Sequence, residues 1–157
     1  MNPEPISIRP ANDGDIEALT RLVGELGYEA TARGTEARLA RVVGTPGNRI
    51  LVAVTEEKEV VGWVHVFGAP RLESDGFAEL GGLVVAEERR GHGIGSRLIE
   101  AAEGWSRRQG FGTLRIRSRV ERNASHRFFE NFGFLPVKTQ RVYERLLRES
   151  ESKNSEE

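Results

Sequence analysis

The chain has no cysteine, which excludes disulfides, thiolate metal sites, iron–sulfur clusters and a cysteine nucleophile. A reducing compartment fits that composition. It also has no surplus of either charge sign: Lys+Arg number 23 and Asp+Glu 24, leaving a formal net charge of -1. Nucleic acid and anionic membrane both call for a large positive excess, so neither is expected as the main partner. Long apolar runs are missing as well. The longest apolar-plus-glycine stretch, Leu80 to Ala86, falls far below the ~18 residues of a membrane span. The segment from Met1 to Pro10 is polar and proline-bearing and does not read as a signal peptide. A cytoplasmic protein is expected. At 157 residues the chain suits one domain with one core, expected over residues 1–147, followed by a charged, disordered tail at 148–157.

Glycine, by contrast, is plentiful at 18 residues, where a typical share would be about 7%. The excess gathers between Gly81 and Gly112 and directs attention there. Ile6 to Arg9 alternates like a strand, and Asn12-Asp-Gly-Asp15 offers a helix cap with an acidic residue three places on. Ile16, Leu19, Val23 and Leu26 form the apolar stripe of that helix, and Gly27 ends it. A second helix is expected from a cap at Thr35, through Leu39, Val42 and Val43, to the breakers Gly44, Pro46 and Gly47. Ile50 to Thr55 and Val60 to Phe67 read as a hairpin joined by Glu56 to Glu59.

Phe77 to Val85 reads as a third long strand, and its Gly81-Gly82 pair predicts a bulge or a close backbone approach. Next comes Gly91-His-Gly-Ile-Gly95, then a helix with Ile94, Leu98, Ala101, Ala102 and Trp105 on one face and Gly110 at its end. A strand from Thr113 to Val120 completes a βαβ unit. Asn123 opens a short helix closed by Gly133, and Phe134 to Leu147 is expected to form two short strands around Thr139-Gln140.

Alternate glycines between a strand and a helix start let the backbone approach a ligand and leave N–H groups without partners. The helix dipole favours an anion there, and Arg89, Arg90 and Arg97 add full charges. Two commoner phosphate loops do not match. A dinucleotide fingerprint needs glycine where Ser96 or Leu98 stands, and a Walker loop needs a Gly-Lys-Ser/Thr ending. A helix entry that binds nothing is the plain alternative.

Arg90-Gly-His-Gly-Ile-Gly95, preceded by Gly82 to Val85, resembles the pyrophosphate loop of the GNAT superfamily of N-acetyltransferases. Ser125-His-Arg-Phe-Phe-Glu130 with Gly133-Phe134 is similar to that superfamily's second signature, and the order of elements matches over roughly residues 5–147. The resemblance implies an α/β (α+β) fold, with a mixed, mostly antiparallel central sheet flanked by helices and a βαβ glycine-loop unit. It implies transfer of an acetyl group from acetyl-CoA to a primary amine of a small molecule or protein, by direct attack in a ternary complex. A catalytically silent acyl-CoA-binding or sensing module is the alternative. Homodimers are common in the superfamily, so a homodimer is expected.

By the same resemblance, the amides of Gly91, His92, Gly93, Ile94, Gly95 and Ser96, reinforced by Arg90, hold the pyrophosphate. Backbone groups of Leu83, Val84 and Val85 lie beside the pantetheine and the thioester. Glu79 is a candidate base acting through water, with an ordinary solvent-facing glutamate as the other reading. Burial among apolar neighbours would raise its carboxyl toward a useful range. Phe129 stands where relatives present a tyrosine acid, which leaves Tyr143 on the last strand, Ser125 or water to supply a proton. Asn123 is read either as a pantetheine contact or as a helix N-cap.

His65, His92 and His126 lack metal-ligand spacing, so no metal is expected. Arg115, Arg117 and Arg119 share one face of a strand, as a solvated or salt-bridged sheet face or as a site for an acidic substrate or a partner subunit. Trp63 belongs to the core or lines an acceptor groove, and Glu25, Tyr28 and Glu29 are candidates to receive a cationic amine.

Overall fold

The computed structural model describes residues 5–118 and 120–148. Its elements are β1 (Ile6–Pro10), α1 (Ile16–Glu25), α2 (Ala32–Val43), β2 (Asn48–Thr55), β3 (Val60–Ala69), β4 (Phe77–Val85), α3 (Ile94–Arg108), β5 (Leu114–Ile116) and α4 (Asn123–Phe132). The strands form one sheet in the order β1-β2-β3-β4-β5. Neighbours are antiparallel from β1 to β4, and β4 pairs with β5 in parallel. That parallel pair follows from the βαβ crossover through α3, since parallel strands need a connection long enough to return the chain. The chain divides between Arg117 and Ser118 into two compact units. The first holds the whole sheet with α1, α2 and α3, and the second holds α4.

Local sequence explains most boundaries. Asn12 accepts from the Gly14 amide at 2.8 Å, and Asp15 accepts from the Asn12 amide at 2.8 Å, closing a capping box before α1. Asp15 is buried and also takes both terminal nitrogens of Arg9 at 2.8 Å, which ties β1 to the entry of α1. The cap of α2 differs from expectation. Thr31, in extended conformation, accepts from the Gly34 amide, whereas Thr35 lies one turn inside the helix and is buried. Thr31 leaves the helix an additional turn, and its backbone carbonyl takes the Thr35 amide at 2.9 Å.

The sheet is covered on both faces. A Cβ on Gly62 would meet Leu98 and Ile94 of α3, so Val64 and Val66, on the same side of β3, also face α3 and are fully buried. Val52 points the other way, opposite Trp63, and is equally buried. The helices α1 and α2, which pack on β2, β3 and β4, cover that second face. Each fully buried aliphatic side chain adds roughly 1.5–3 kcal/mol of burial energy as an upper bound.

Three expectations change at the C-terminal end. The strand expected at Thr113–Val120 is only Leu114–Ile116, because β4 offers it partners from Ala78 to Leu80 and then bulges. Phe134 to Leu147 forms no strand. Its apolar residues face solvent, with Leu135 81% and Val142 89% exposed, and a strand without a partner leaves its backbone groups unpaired. Asn123 does not cap α4. Arg122 holds the N-cap position with no side-chain hydrogen bond, and Asn123 is the first helical residue. Arg119 and residues 149–157, the bulk of the expected tail, lie outside the described residues.

Candidate active site

The parallel pairing of β4 with β5 ends at Leu80 opposite Ile116, while β4 runs on to Val85 beside β3 alone. Along Gly81–Val85, alternate N–H and C=O groups therefore point away from β3 along an edge that β5 does not pair. Leu83, Val84 and Val85 lie on this stretch. Arg90 folds back on its end, donating from Nε to the Val85 carbonyl at 3.2 Å.

The glycine loop continues from there. Gly91 and Gly93 have φ of 84° and 81°, a left-handed backbone that glycine adopts without strain. The Arg97 amide is the first to turn inward, donating to the Gly93 carbonyl at 3.2 Å. Ahead of it, the amides of residues 91–96 donate to no backbone acceptor among the described residues. Gly91, His92 and Gly93 are exposed, Gly95 and Ser96 are half-buried, and Ile94 turns into the core. A row of unpaired amides at a helix start, with Arg90 and Arg97 beside it, is an anion cradle. These residues suit the diphosphate of coenzyme A, and the edge of β4 that β5 leaves unpaired suits a chain laid along the strand.

The register places the remaining candidates. Asn48, Phe67, Glu79 and Arg115 stand opposite one another across β2, β3, β4 and β5, so they share a face, the one turned away from α3. Glu79 is neither buried among apolar neighbours nor loose in solvent. Its carboxylate accepts from Arg117 Nε at 3.0 Å, with 13% of the Glu79 side chain and 52% of the Arg117 side chain exposed. Arg115 lies over the Phe77 ring at 4.1 Å. Both described members of the basic stripe therefore have partners within the sheet.

The glycine pair is a bulge and a close approach at once. The β3–β4 register slips between His65 and Val66. A Cβ on Gly81 would stand 2.8 Å from His65 Nδ1, and one on Gly82 would stand 2.7 Å from the Trp63 ring. The side chains of β3 thus lie across bare β4 backbone. Trp63 Nε1 is buried there without a hydrogen-bond partner. Beside it, His65 Nε2 meets Asn48 Oδ1 at 2.9 Å, and burial holds the imidazole below its ordinary pKa. The pairing of His65 with Asn48 was not read from the sequence. The only available signal was hairpin register, which depends on where each strand starts.

Asn123, Phe129 and Tyr143 belong to the second unit. Phe129 joins a ring cluster with Phe128 at 5.5 Å and Phe134 at 5.9 Å. Tyr143 is 85% exposed and outside any strand, which corrects its placement on a last strand. Glu25, Tyr28 and Glu29 are exposed at and beyond the end of α1. No group of three potential ligands is arranged to hold a metal ion, and no helix is long and apolar enough to cross a membrane, among the described residues.

An aminoglycoside N(6')-acetyltransferase type 1 from Klebsiella aerogenes is 26% identical over 153 residues, covering 94% of this chain and 100% of that protein. The aminoglycoside antibiotic 6'-N-acetyltransferase AAC(6')-Ih from Acinetobacter baumannii superposes with a TM-score of 0.80 at 15% identity, over 92% of this chain and 100% of that one. Aminoglycoside N-acetyltransferase AAC(6')-Iy, solved in complex with CoA, gives a TM-score of 0.81 at 17% identity, over 92% and 97% of the two chains. The model of the Acetyltransferase (GNAT) family matches residues 17–134. With that match over most of its length, the chain belongs to the GNAT family of acetyltransferases, which use acetyl-CoA to acetylate amines.

Proposed function

We propose that this acetyltransferase acts on a small cationic amine of the amino-sugar class, with acetyl-CoA held along the open edge of β4. The acceptor class is supported by the aminoglycoside acetyltransferase related over nearly the whole chain and by the exposed carboxylates of Glu25, at the end of α1, and Glu29, beyond it. The observation that carries the cofactor assignment is the run of unpaired amides at residues 91–96, which follows the stretch of β4 that β5 leaves unpaired. In this reading Gly91, His92, Gly93, Ile94, Gly95 and Ser96 grip the diphosphate through backbone N–H groups. Arg90, whose Nε is engaged by Val85, offers its terminal nitrogens. Backbone groups of Leu83, Val84 and Val85 orient the pantetheine and the carbonyl.

Acetyl-CoA supplies an acyl group activated as a thioester. The protein must supply a neutral amine, since an ammonium has no lone pair for attack, and a proton for the departing thiolate. Glu79 shares the face on which an acceptor would approach and is one candidate for the first task. Tyr143 is the candidate for the second, because Phe129 carries no proton. Residues 1–147 act as a single domain, a reading supported by a family match that runs through the boundary at Arg117. Cytoplasmic location accords with the cysteine-free chain, and homodimeric assembly with the superfamily.

The test is calorimetry of coenzyme A binding together with thiol release from acetyl-CoA over an amine panel. Gly93→Val forces a side chain into φ of 81° and should weaken coenzyme A at least tenfold. Amino sugars should release thiol faster than peptides or simple alkylamines. Unchanged affinity in the variant, or turnover confined to peptides, would overturn the reading.

A further inference from the structure

We propose that His65 takes the proton from the acceptor amine, held by Asn48 in the tautomer that leaves Nδ1 free. The assignment rests on the acetyl-CoA and amine reading above and names the base within that site. Asn48 Nδ2 donates to the Pro46 carbonyl at 3.4 Å, which turns Oδ1 toward His65 Nε2 at 2.9 Å. An amide oxygen only accepts, so Nε2 carries the hydrogen and a neutral ring keeps its lone pair on Nδ1. Nδ1 sits over Gly81, at the bulge where β4 parts from β5. It has no protein partner among the described residues, and His65 is half-buried and not sealed in the core.

Glu79 is placed less well for the same task, because its Oε1 already accepts from Arg117. The ionisable groups on the elements packed against this face are Arg9 on β1, paired with Asp15, Glu79 on β4, Arg115 on β5 and Arg117 after it, Glu17, Arg21 and Glu25 on α1, and the exposed Arg33, Glu36, Arg38 and Arg41 on α2. Arg21 Nη2 donates to the Val60 carbonyl, and Glu17 and Glu25 are exposed. Burial is the cause of the lowered His65 pKa, so the ring is mostly neutral at pH 7 and able to accept a proton.

The reaction then balances. The ammonium passes one proton to Nδ1, directly or through one water, and its nitrogen forms the bond to the thioester carbonyl carbon. The C–S bond breaks, the electron pair leaves on sulfur, and the second nitrogen proton reaches the thiolate. The products are an acetamide and coenzyme A thiol, and the proton on His65 is released to solvent.

Four measurements decide it. Nitrogen-15 imidazole spectra of the unliganded protein should show the Nε2–H tautomer at His65, and an Nδ1–H tautomer would overturn the proposal. His65→Gln should lower kcat about 100-fold or more and abolish the acidic limb of the pH–rate profile, with coenzyme A affinity unchanged by calorimetry. Asn48→Asp puts a carboxylate against Nε2, which favours imidazolium, so the acidic limb should move to higher pH. This variant also decides the matter if His65→Gln folds poorly, since a purely structural Asn48 would leave the limb in place. Survival of an acidic limb in Glu79→Gln would support His65, and loss of the limb there would overturn the assignment in favour of Glu79. A wild-type protein that releases no thiol with any amine overturns the parent reading and this one with it. An active wild type whose His65→Gln variant keeps the limb overturns only this one.

Discussion

Glu79 and Arg117 are 38 residues apart in sequence, yet Arg117 Nε donates to Glu79 Oε1 at 3.0 Å across the point where β4 and β5 part. The pair fixes the chain leaving β5 to the strand that carries the candidate site. Arg117 is half-exposed, so solvent screens the interaction and its direct worth is modest. A double-mutant cycle of Glu79→Gln and Arg117→Gln, followed by urea unfolding, should give a coupling of about 0.5–1 kcal/mol. Strict additivity would show that the contact contributes nothing to stability.

Glycine substitutions should divide by sign. Gly82→Ala places a methyl 2.7 Å from the Trp63 ring, and displacing a packed indole should cost about 1–3 kcal/mol. Gly24→Ala, on the helix α1 with nothing within 4 Å, should instead stabilise by about 0.5–1 kcal/mol. Thermal melts with tryptophan fluorescence check both, and a neutral Gly82→Ala would contradict the close approach across the bulge.

Acid stability should reflect two groups in separate windows. The hydrogen bonds from Arg9 hold the Asp15 carboxyl below its ordinary value of 3.8, despite burial acting the other way. Its contribution is therefore full above that value and is lost as pH falls through the lower folded value. Asp15→Asn should cost about 2 kcal/mol at pH 7, through loss of the cap and the Arg9 pair. The variant and wild-type curves should converge at low pH. His65, depressed by burial from 6.5, favours the fold while neutral, and that contribution is lost as pH falls below 6.5 through its folded value. His65→Gln should flatten this upper window only. Circular dichroism along an acid titration resolves the two, and parallel curves for Asp15→Asn at every pH would contradict the first.

Much of this molecule was legible before any coordinates. The capping box at Asn12 and Asp15, the helix ends at Gly27, Gly110 and Gly133, the hairpin around Glu56 to Glu59 and the glycine loop all depend on neighbours within a few residues. Local steric and hydrogen-bonding rules suffice for such features. The anion-ready loop belongs with them, because positive φ at Gly91 and Gly93 and a helix start are local properties.

What the sequence left open was decided by pairing at a distance. Whether Glu79 met solvent, apolar side chains or a cation depended on the β3–β4 register and on a bulge whose direction no spacing rule supplies. The meeting of His65 and Asn48 likewise required two strands to align within one residue, since a single-step slip sends every side chain to the opposite face. Thr113–Val120 and Phe134–Leu147 had strand-like composition, but a strand exists only where a neighbouring edge accepts its hydrogen bonds. That edge is a property of the assembled sheet.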